Sequence, residues 1–494
     1  VGKLPVSQRI AVIDIGSNSV RLVIYDVLGA SALPTFNEKV MAGLGAGLMK
    51  TGTLSSAGKI AALDALSRYR AILAALSIRK ISAVATAAVR VASDGPDFVK
   101  ASEKNLGVKV SVLSGNDEAR ISSWGVEAAF HKPEGVIGDL GGSSLEFHSI
   151  GQIRPTGESL MLGPLSIAHD KFEYKSVRLL VREALKDSDT LAAATGDFFA
   201  VGGAWRSFAR IAMELDDYPL RVLQGYHLKS GPLARAVKVC VDSVKDRSAR
   251  ARLEATDSRR VHSLPYAAVI LEQILEVGAL NRVIMSSYGL REGVLSAATG
   301  ESEGDPLHDG VVAFARLDDN QIKFGEALHE FLMGVFGPEA DLFGSSYADE
   351  RVDRAACLMA DSAGRFHPDH RADQAYYQAL RAPYVALDHA QRALIAHAVG
   401  SRYSRKFDPP KKFRRMNSDA QALRARQLGT AMRLGAVFSG RSGPNLKRAK
   451  LVRGEDTLEL QVRESDKAMV SETVRKRLNQ TAELLNLSAE VTFT

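Results

Sequence analysis

The stretch that decides the fold runs from Ala11 to Val27 and reads AVIDIGSNSVRLVIYDV. An apolar segment, Ala11–Ile13, stops at Asp14, a polar turn of Gly16-Ser17-Asn18-Ser19 follows, and a second apolar segment runs from Val20 to Val27. Another stretch, GVIGDLGGSSLEFHSI from Gly135, repeats the pattern, so that Asp14, Gly16 and Ser19 fall on Asp139, Gly141 and Ser144. The offset, 139 − 14 = 125 residues, is far beyond the roughly 20–50 residues of a solenoid repeat. It suits two related halves, each opening with a strand–turn–strand unit.

Residue chemistry says what such a unit does. Glycine lets the backbone turn sharply and approach a ligand closely. Successive N–H groups in such a turn make a concave anion site, and serine hydroxyls add donors. An Asp at the strand end holds a divalent cation or orients water. One unit alone reads as an ordinary hairpin with Gly/Asn/Ser turn chemistry. The matched pair reads instead as a clamp for phosphate and metal.

The 494 residues allow several domains, and 46% hydrophobic with 24% charged residues is an ordinary globular composition. No apolar run reaches the roughly 18 residues of a membrane-crossing helix. The first ten residues, VGKLPVSQRI, lack the apolar core of a secretory signal. Cys240 and Cys357 show neither metal-ligand spacing nor a disulfide framework, so a cytoplasmic setting is expected. The net charge of +7 is uneven: Arg402–Arg453 holds 15 Lys and Arg against Asp408 and Asp419, or 15 − 2 = +13. Such a concentration points to an anionic partner.

Along the chain, SSAGKIAALDALSRYRAILAAL from Ser55 predicts a Ser-capped amphipathic helix. ISAVATAAVR reads as a strand ending near Arg90, and Val108–Gly115 as another; a helix then begins with Asp117 and Glu118 in its first turn, where acids suit the dipole. Phe198–Met213 reads as strand, Gly-Gly turn and helix, and Asn281–Ala298 as strand, loop and helix. The polar link Thr299–His308 reads as a boundary. Residues 309–440 read as helical, and the tail from about 448 as a small α/β unit.

Asp14-Ile15-Gly16-Ser17-Asn18-Ser19 resembles the first phosphate motif of the exopolyphosphatase and guanosine pentaphosphate phosphohydrolase family, in the actin-like ATPase and sugar-kinase superfamily. The resemblance continues through Ser114–Arg120, Asp139–Glu146, Val201-Gly202-Gly203 and Gly289–Gly293. It implies two ribonuclease H-like, actin-type α/β domains at 1–125 and 126–299, a helical HD-like domain at 309–447 and a small α/β unit at 448–494. It also implies a homodimer that uses Mg²⁺ or another divalent cation. Matched residue by residue, Glu118 corresponds to the glutamate that orients the attacking water, and Asp139 to the catalytic aspartate associated with the metal. Arg90, Gly141, Gly142, Ser143 and Ser144 join Gly16, Ser17, Asn18 and Ser19 as phosphate-binding positions, and Asp14, Asp139 and Glu146 are the metal candidates.

There are departures from the family pattern. Ser143 and Leu145 stand where a third glycine and a Thr are usual, and Ala46 where an acid is frequent. In the HD-like region the expected His-Asp pair falls at Ala360-Asp361 and the later His pair near His370 and Ala372, so that domain reads as non-catalytic.

The leading expectation is hydrolysis of terminal orthophosphate from inorganic polyphosphate. Positioning and charge neutralisation do most of that work, and a carboxylate orients water. Guanosine pentaphosphate ends in the same anhydride and is the nearest rival substrate. A superfamily kinase is disfavoured because Trp205 would crowd an adenosine, and a non-enzymatic polyanion- or RNA-binding protein because Asp14, Glu118 and Asp139 are intact. The basic tail favours a long polymer, with Lys411, Lys412, Arg414 and Arg415 of KKFRR expected to line its path.

Overall fold

The computed structural model describes residues 8–153, 155–168, 171–300, 304–315, 318–337 and 349–494. The chain divides into two compact units, Val1–Glu303 and Gly304–Thr494. The polar link expected as a boundary falls at this division, with its residues 301–303 outside the described residues, as are residues 1–7 of the N-terminal segment.

The first unit holds two sheets. One is built from β1 (Gln8–Ile15), β2 (Val20–Leu28), β3 (Ser31–Val40), β4 (Lys80–Ala85) and β5 (Val110–Val112) in the order β3-β2-β1-β4-β5. The other contains β6 (Gly135–Leu140), β7 (Leu145–Ile150), β8 (Gly157–Leu160), β9 (Asp197–Gly202), β10 (Tyr226–Leu228) and β11 (Val283–Met285) in the order β10-β11-β9-β6-β7-β8. Setting β6 on β1 makes the two orders match, with β10 an added antiparallel edge. The 125-residue repeat is therefore a repeat of whole sheets. β1 shows why the opening stretch is continuously apolar. Ala11, Ile13 and Ile15 enter one core and Ile10 and Val12 another, so both faces of this central strand are covered.

Local expectations hold where the signal is local. The helix Ser56–Ala75 starts at Ser55, whose side chain accepts from Gly58 N, and Ser114 caps Gly115–Glu127 by accepting from Asp117 N. Two readings are corrected. The strand expected to reach Arg90 ends at Ala85; Thr86 N donates to Ile15 O, and Ala87–Val91 turns into a short helix, as its two strong helix formers favour. Strand β3 was not anticipated. It carries Pro34 and polar residues because it is an edge, where a missing N–H is tolerated.

Two helices cross between the sheets. Gly115–Glu127 packs on β7 and β8, while Val294 and Leu295 of Leu290–Thr299 join Ile10, Val12 and Val23 in the first sheet's core. The helices touch each other at glycines: a Cβ at Gly293 would lie 1.7 Å from Ile121 O, and one at Gly125 2.1 Å from Gly289 O. The first helix runs across position 125, so the two halves of this unit share their interface helices rather than parting cleanly at one residue.

The second unit is mainly helical, with helices Asp319–Phe336, Glu350–Leu358, Arg371–Arg381, His389–Tyr403 and Asp419–Ser439. A small sheet, β12 (Ala449–Arg453), β13 (Thr457–Val462) and β14 (Ser488–Phe493), follows with helix Glu472–Leu484.

Candidate active site

A cavity of about 200 Å³ opens where the turns β1–β2 and β6–β7 face each other. Each turn closes with the same bond: Gly16 N donates to Ser19 O at 3.0 Å, and Gly141 N donates to Ser144 O at 2.9 Å. The turns are close, since a Cβ at Gly142 would sit 3.5 Å from Ser17 Cβ. Asp14, Gly16, Ser17, Asn18, Ser19, Glu118, Asp139, Gly141, Gly142 and Ser144 all line the cavity.

Three expected residues are placed differently. Ser143 lines a separate, smaller cavity with Leu48 and Ala88, because Gly163 N and Ser166 Oγ both hold its carbonyl and fix the turn there. Arg90 is not in the lining; its Nη1 donates to Leu113 O at 2.6 Å and to Glu118 Oε2 at 3.1 Å. Its visible task is to hold Glu118. Glu146 lies behind the wall, 2% exposed, accepting from Ser159 Oγ at 3.1 Å.

Five cations in the lining were not foreseen: Arg21, Lys39, Arg206, Arg260 and Arg291. Arg291 sits within a quoted motif and Arg206 follows Trp205, but nothing local marks either as facing the cleft. Arg291 Nη1 lies 3.8 Å from Asp14 Oδ2, and Ser122 Oγ donates to Asp139 Oδ2 at 2.8 Å. Beside them Glu292 accepts from Tyr25 OH at 2.6 Å and from Gly289 N at 3.0 Å, joining the second crossing helix to β2.

Burial governs the electrostatics. Glu118 is pushed up to about 7 by desolvation, against the pull of Arg90, with Asp139 and Asp14 adding to the rise. Asp14 and Asp139 are raised by burial, opposed in part by Arg291 and Arg21 for the first and by Ser122 and Arg206 for the second. Glu146 is driven well above the carboxylate range by burial and by the charge of Glu118. Lys39 falls to about 8 through burial and the neighbouring Arg260, Arg21 and Arg206. Carboxylates whose charged form burial disfavours, beside crowded cations, describe a site short of an anion.

The Ppx/GppA phosphatase family model matches residues 23–301, more than half of the chain. The chain belongs to the Ppx/GppA phosphatase family. A model for the exopolyphosphatase C-terminal region matches residues 333–492. Exopolyphosphatase 1 of Mycobacterium tuberculosis is 25% identical over 324 residues, covering 61% of this chain and 91% of its own. The crystal structure of an exopolyphosphatase from Cytophaga hutchinsonii superposes with a TM-score of 0.54 at 25% identity, over 60% of this chain and 100% of that one. The Aquifex aeolicus Ppx/GppA family member has the same fold, with a TM-score of 0.53 at 23% identity, over 61% of this chain and 100% of its own.

As a Ppx/GppA phosphatase the protein is a hydrolase, and the kinase and non-enzymatic readings give way. Trp205, however, does not crowd the cleft. Trp205 is fully buried and donates to Ala267 O at 2.9 Å, so it faces the core and not the cleft. Among the described residues no helix is long and apolar enough to cross a membrane.

The family implies a divalent cation. Among the described residues no three of His, Cys, Asp and Glu gather as a ready-made metal cluster. Mg²⁺ characteristically takes only one or two carboxylates and completes its octahedron with waters and substrate phosphates. Asp14 and Asp139, two hard oxygen donors on the cleft wall, fit that requirement. Glu146, outside the lining, fits it less well.

Proposed function

We propose that this Ppx/GppA phosphatase is a Mg²⁺-dependent exopolyphosphatase, releasing terminal orthophosphate from inorganic polyphosphate through a water oriented by Glu118. The observation that carries this reading is Glu118 itself. It lines the cleft at 8% exposure, is held by Arg90, and sits at about 7, where a carboxylate accepts a proton most usefully at neutral pH. The water oxygen attacks the terminal phosphorus, the P–O anhydride bond breaks, the shortened chain leaves and Glu118 takes the water's proton. The backbone N–H groups of Ser17, Asn18, Ser19, Gly142 and Ser144, with the serine hydroxyls, are assigned to the phosphate oxygens, while Gly16 N and Gly141 N close the two turns and Ser143 supports the second from outside the lining. Asp14 and Asp139, with Glu146 as a more remote candidate, would hold Mg²⁺, which would supply further neutralisation of charge.

The reading extends to a cytoplasmic homodimer whose non-catalytic helical region carries the polymer. Lys411, Lys412, Arg414 and Arg415 are all exposed, as a polymer path requires. The local excess of +13 is smaller in space than along the chain. Arg402 and Arg441 pair with Asp361, Arg405 with Glu483, Arg424 with Asp353, Lys447 with Glu330 and Arg448 with Asp466.

Orthophosphate release should be measured from polyphosphate of defined length and from guanosine pentaphosphate, with Mg²⁺ and with EDTA. The expected result is Mg²⁺-dependent release with the higher kcat/KM on polyphosphate. Faster turnover of guanosine pentaphosphate would reassign the substrate, and full activity in EDTA would remove the metal.

A further inference from the structure

A second cavity, of about 390 Å³, lies within the helical unit among helices Arg371–Arg381, His389–Tyr403 and Asp419–Ser439 and the loop Arg405–Pro409. It falls in the usual range of small-molecule sites, roughly 300–1,000 Å³. Three aromatic residues make its apolar wall. The Tyr376 ring centroid lies 5.3 Å from that of Phe407 and 6.1 Å from that of Phe413, and all three side chains are buried.

Two features of the lining ask for a ligand. His397 is 4% exposed, lines the cavity, and its Nε2 has no hydrogen-bond partner. A buried polar atom left unmatched is unfavourable unless something fills the space beside it. Burial and Arg426 lower this imidazole to about 4, so near neutrality it is uncharged and offers one neutral hydrogen bond. The second feature is the charge of the lining. Arg405 and Arg414 are committed to Glu483 and Asp408. Lys406 and Arg426 have no acid within ion-pair distance among the described residues. Two uncommitted cations match the charge of one phosphate monoester. With Asp408 and Asp419 also in the lining, a long polyanion is a poorer match.

We propose that this cavity binds a small ring-bearing phosphate monoester of nucleoside-monophosphate size, its phosphate on Lys406 and Arg426, its ring against the aromatic wall and within reach of His397 Nε2. The site is separate from the catalytic turns and holds whether or not the substrate reading above is right.

The test is calorimetric titration of the full chain with each of the four ribonucleoside 5′-monophosphates, orthophosphate, guanosine and tripolyphosphate, alongside basal orthophosphate release. At least one nucleotide should bind about tenfold or more tighter than orthophosphate or guanosine, since only it uses both halves of the site. Arg426→Gln, an exposed position, should weaken that binding about tenfold, as loss of one charge-assisted contact does. His397→Phe, which keeps the volume, should weaken it less, and neither should change the basal rate. The proposal is overturned if none of the four nucleotides outbinds orthophosphate. It is equally overturned if Arg426→Gln leaves the affinity unchanged, which would place the nucleotide elsewhere. Tripolyphosphate binding as tightly as the nucleotide would reduce the site to an anion patch. These results are read apart from the catalytic assay, so failure here leaves the hydrolase assignment standing.

Discussion

In the first turn Gly43 N and Gly45 N brace the carbonyls of Asn18 and Ser17 at 3.0 and 2.8 Å; in the second Gly163 N and Leu165 N brace those of Ser143 and Gly142 at 3.1 and 2.8 Å. The braced carbonyls are repeat equivalents, and so are the closing bonds within the turns. The side chains that follow are not. Across β1–β2 the register partner of Asp14 is Arg21, whereas across β6–β7 the partner of Asp139 is Glu146. The backbone device has been kept twice while the charge beside it is reversed. Cross-strand partners share a sheet face. One aspartate therefore stands next to a cation, and the other next to a second, more deeply buried carboxylate.

The largest effect should come from the acid beside the second turn. Glu118→Gln keeps the side chain's size and removes the base, so kcat should fall by about 10²–10⁴ with substrate affinity little changed. The linkage supplies a control. Burial raises Glu118 from 4.5 to about 7, so the unfolded chain ionises it first and stability falls as pH rises between those values. The Gln variant should thus melt no lower than wild type at pH 8. Near wild-type turnover with a drop worth roughly 0.3–1 kcal/mol would mean that Glu118 only serves the helix dipole.

Asp139→Asn should come next, lowering the rate about tenfold or more, as loss of one electrostatic contact at a reacting centre does, and moving the Mg²⁺ titration to higher concentration. An unchanged titration would leave the second turn with no metal role and erase that half of the comparison.

The cations that line the cleft should act on binding. Lys39→Gln should raise KM about tenfold with kcat nearly preserved. The wild-type kcat/KM should rise as Glu118 ionises near 7 and fall as Lys39 loses its proton near 8. The Lys39 variant should lose the alkaline fall. A profile in which the acid limb disappears instead would exchange the roles assigned to the two turns.

The smallest effects belong to the second unit. Replacing Lys411, Lys412, Arg414 and Arg415 with Gln should weaken long polyphosphate and flatten its salt dependence, because fewer counterions are released. Very short chains should be turned over as before. Equal effects on both lengths would end the polymer-path proposal. His370→Ala, at an exposed position, should leave turnover unchanged.

Both turns were legible because their signals lie within a few residues: an apolar strand, an Asp, a Gly/Ser turn and a second strand. The helix caps at Ser55 and Ser114 were legible for the same reason. The five cleft cations were not. Arg21 and Arg291 lie on β2 and a crossing helix, separated by most of the unit's sequence, and only packing brings them to one cavity. Arg90 was identified, yet its tie to Glu118 depends on the short helix that replaced the expected strand end. In the basic segment a charge count along the chain overstates the local excess, since it omits acids such as Asp353 and Glu483 that folding brings alongside.

By itself the sequence determined a doubled strand–turn–strand chemistry, the acids Asp14, Glu118 and Asp139, and membership in a phosphatase family, because turns, caps and short motifs are encoded by neighbouring residues. Only the tertiary structure decided which groups meet. It set Arg90 on Glu118, Glu146 behind the wall, Trp205 in the core and five cations around the cleft. Burial and Coulomb interactions depend on distance in space, and no spacing along the chain records that distance.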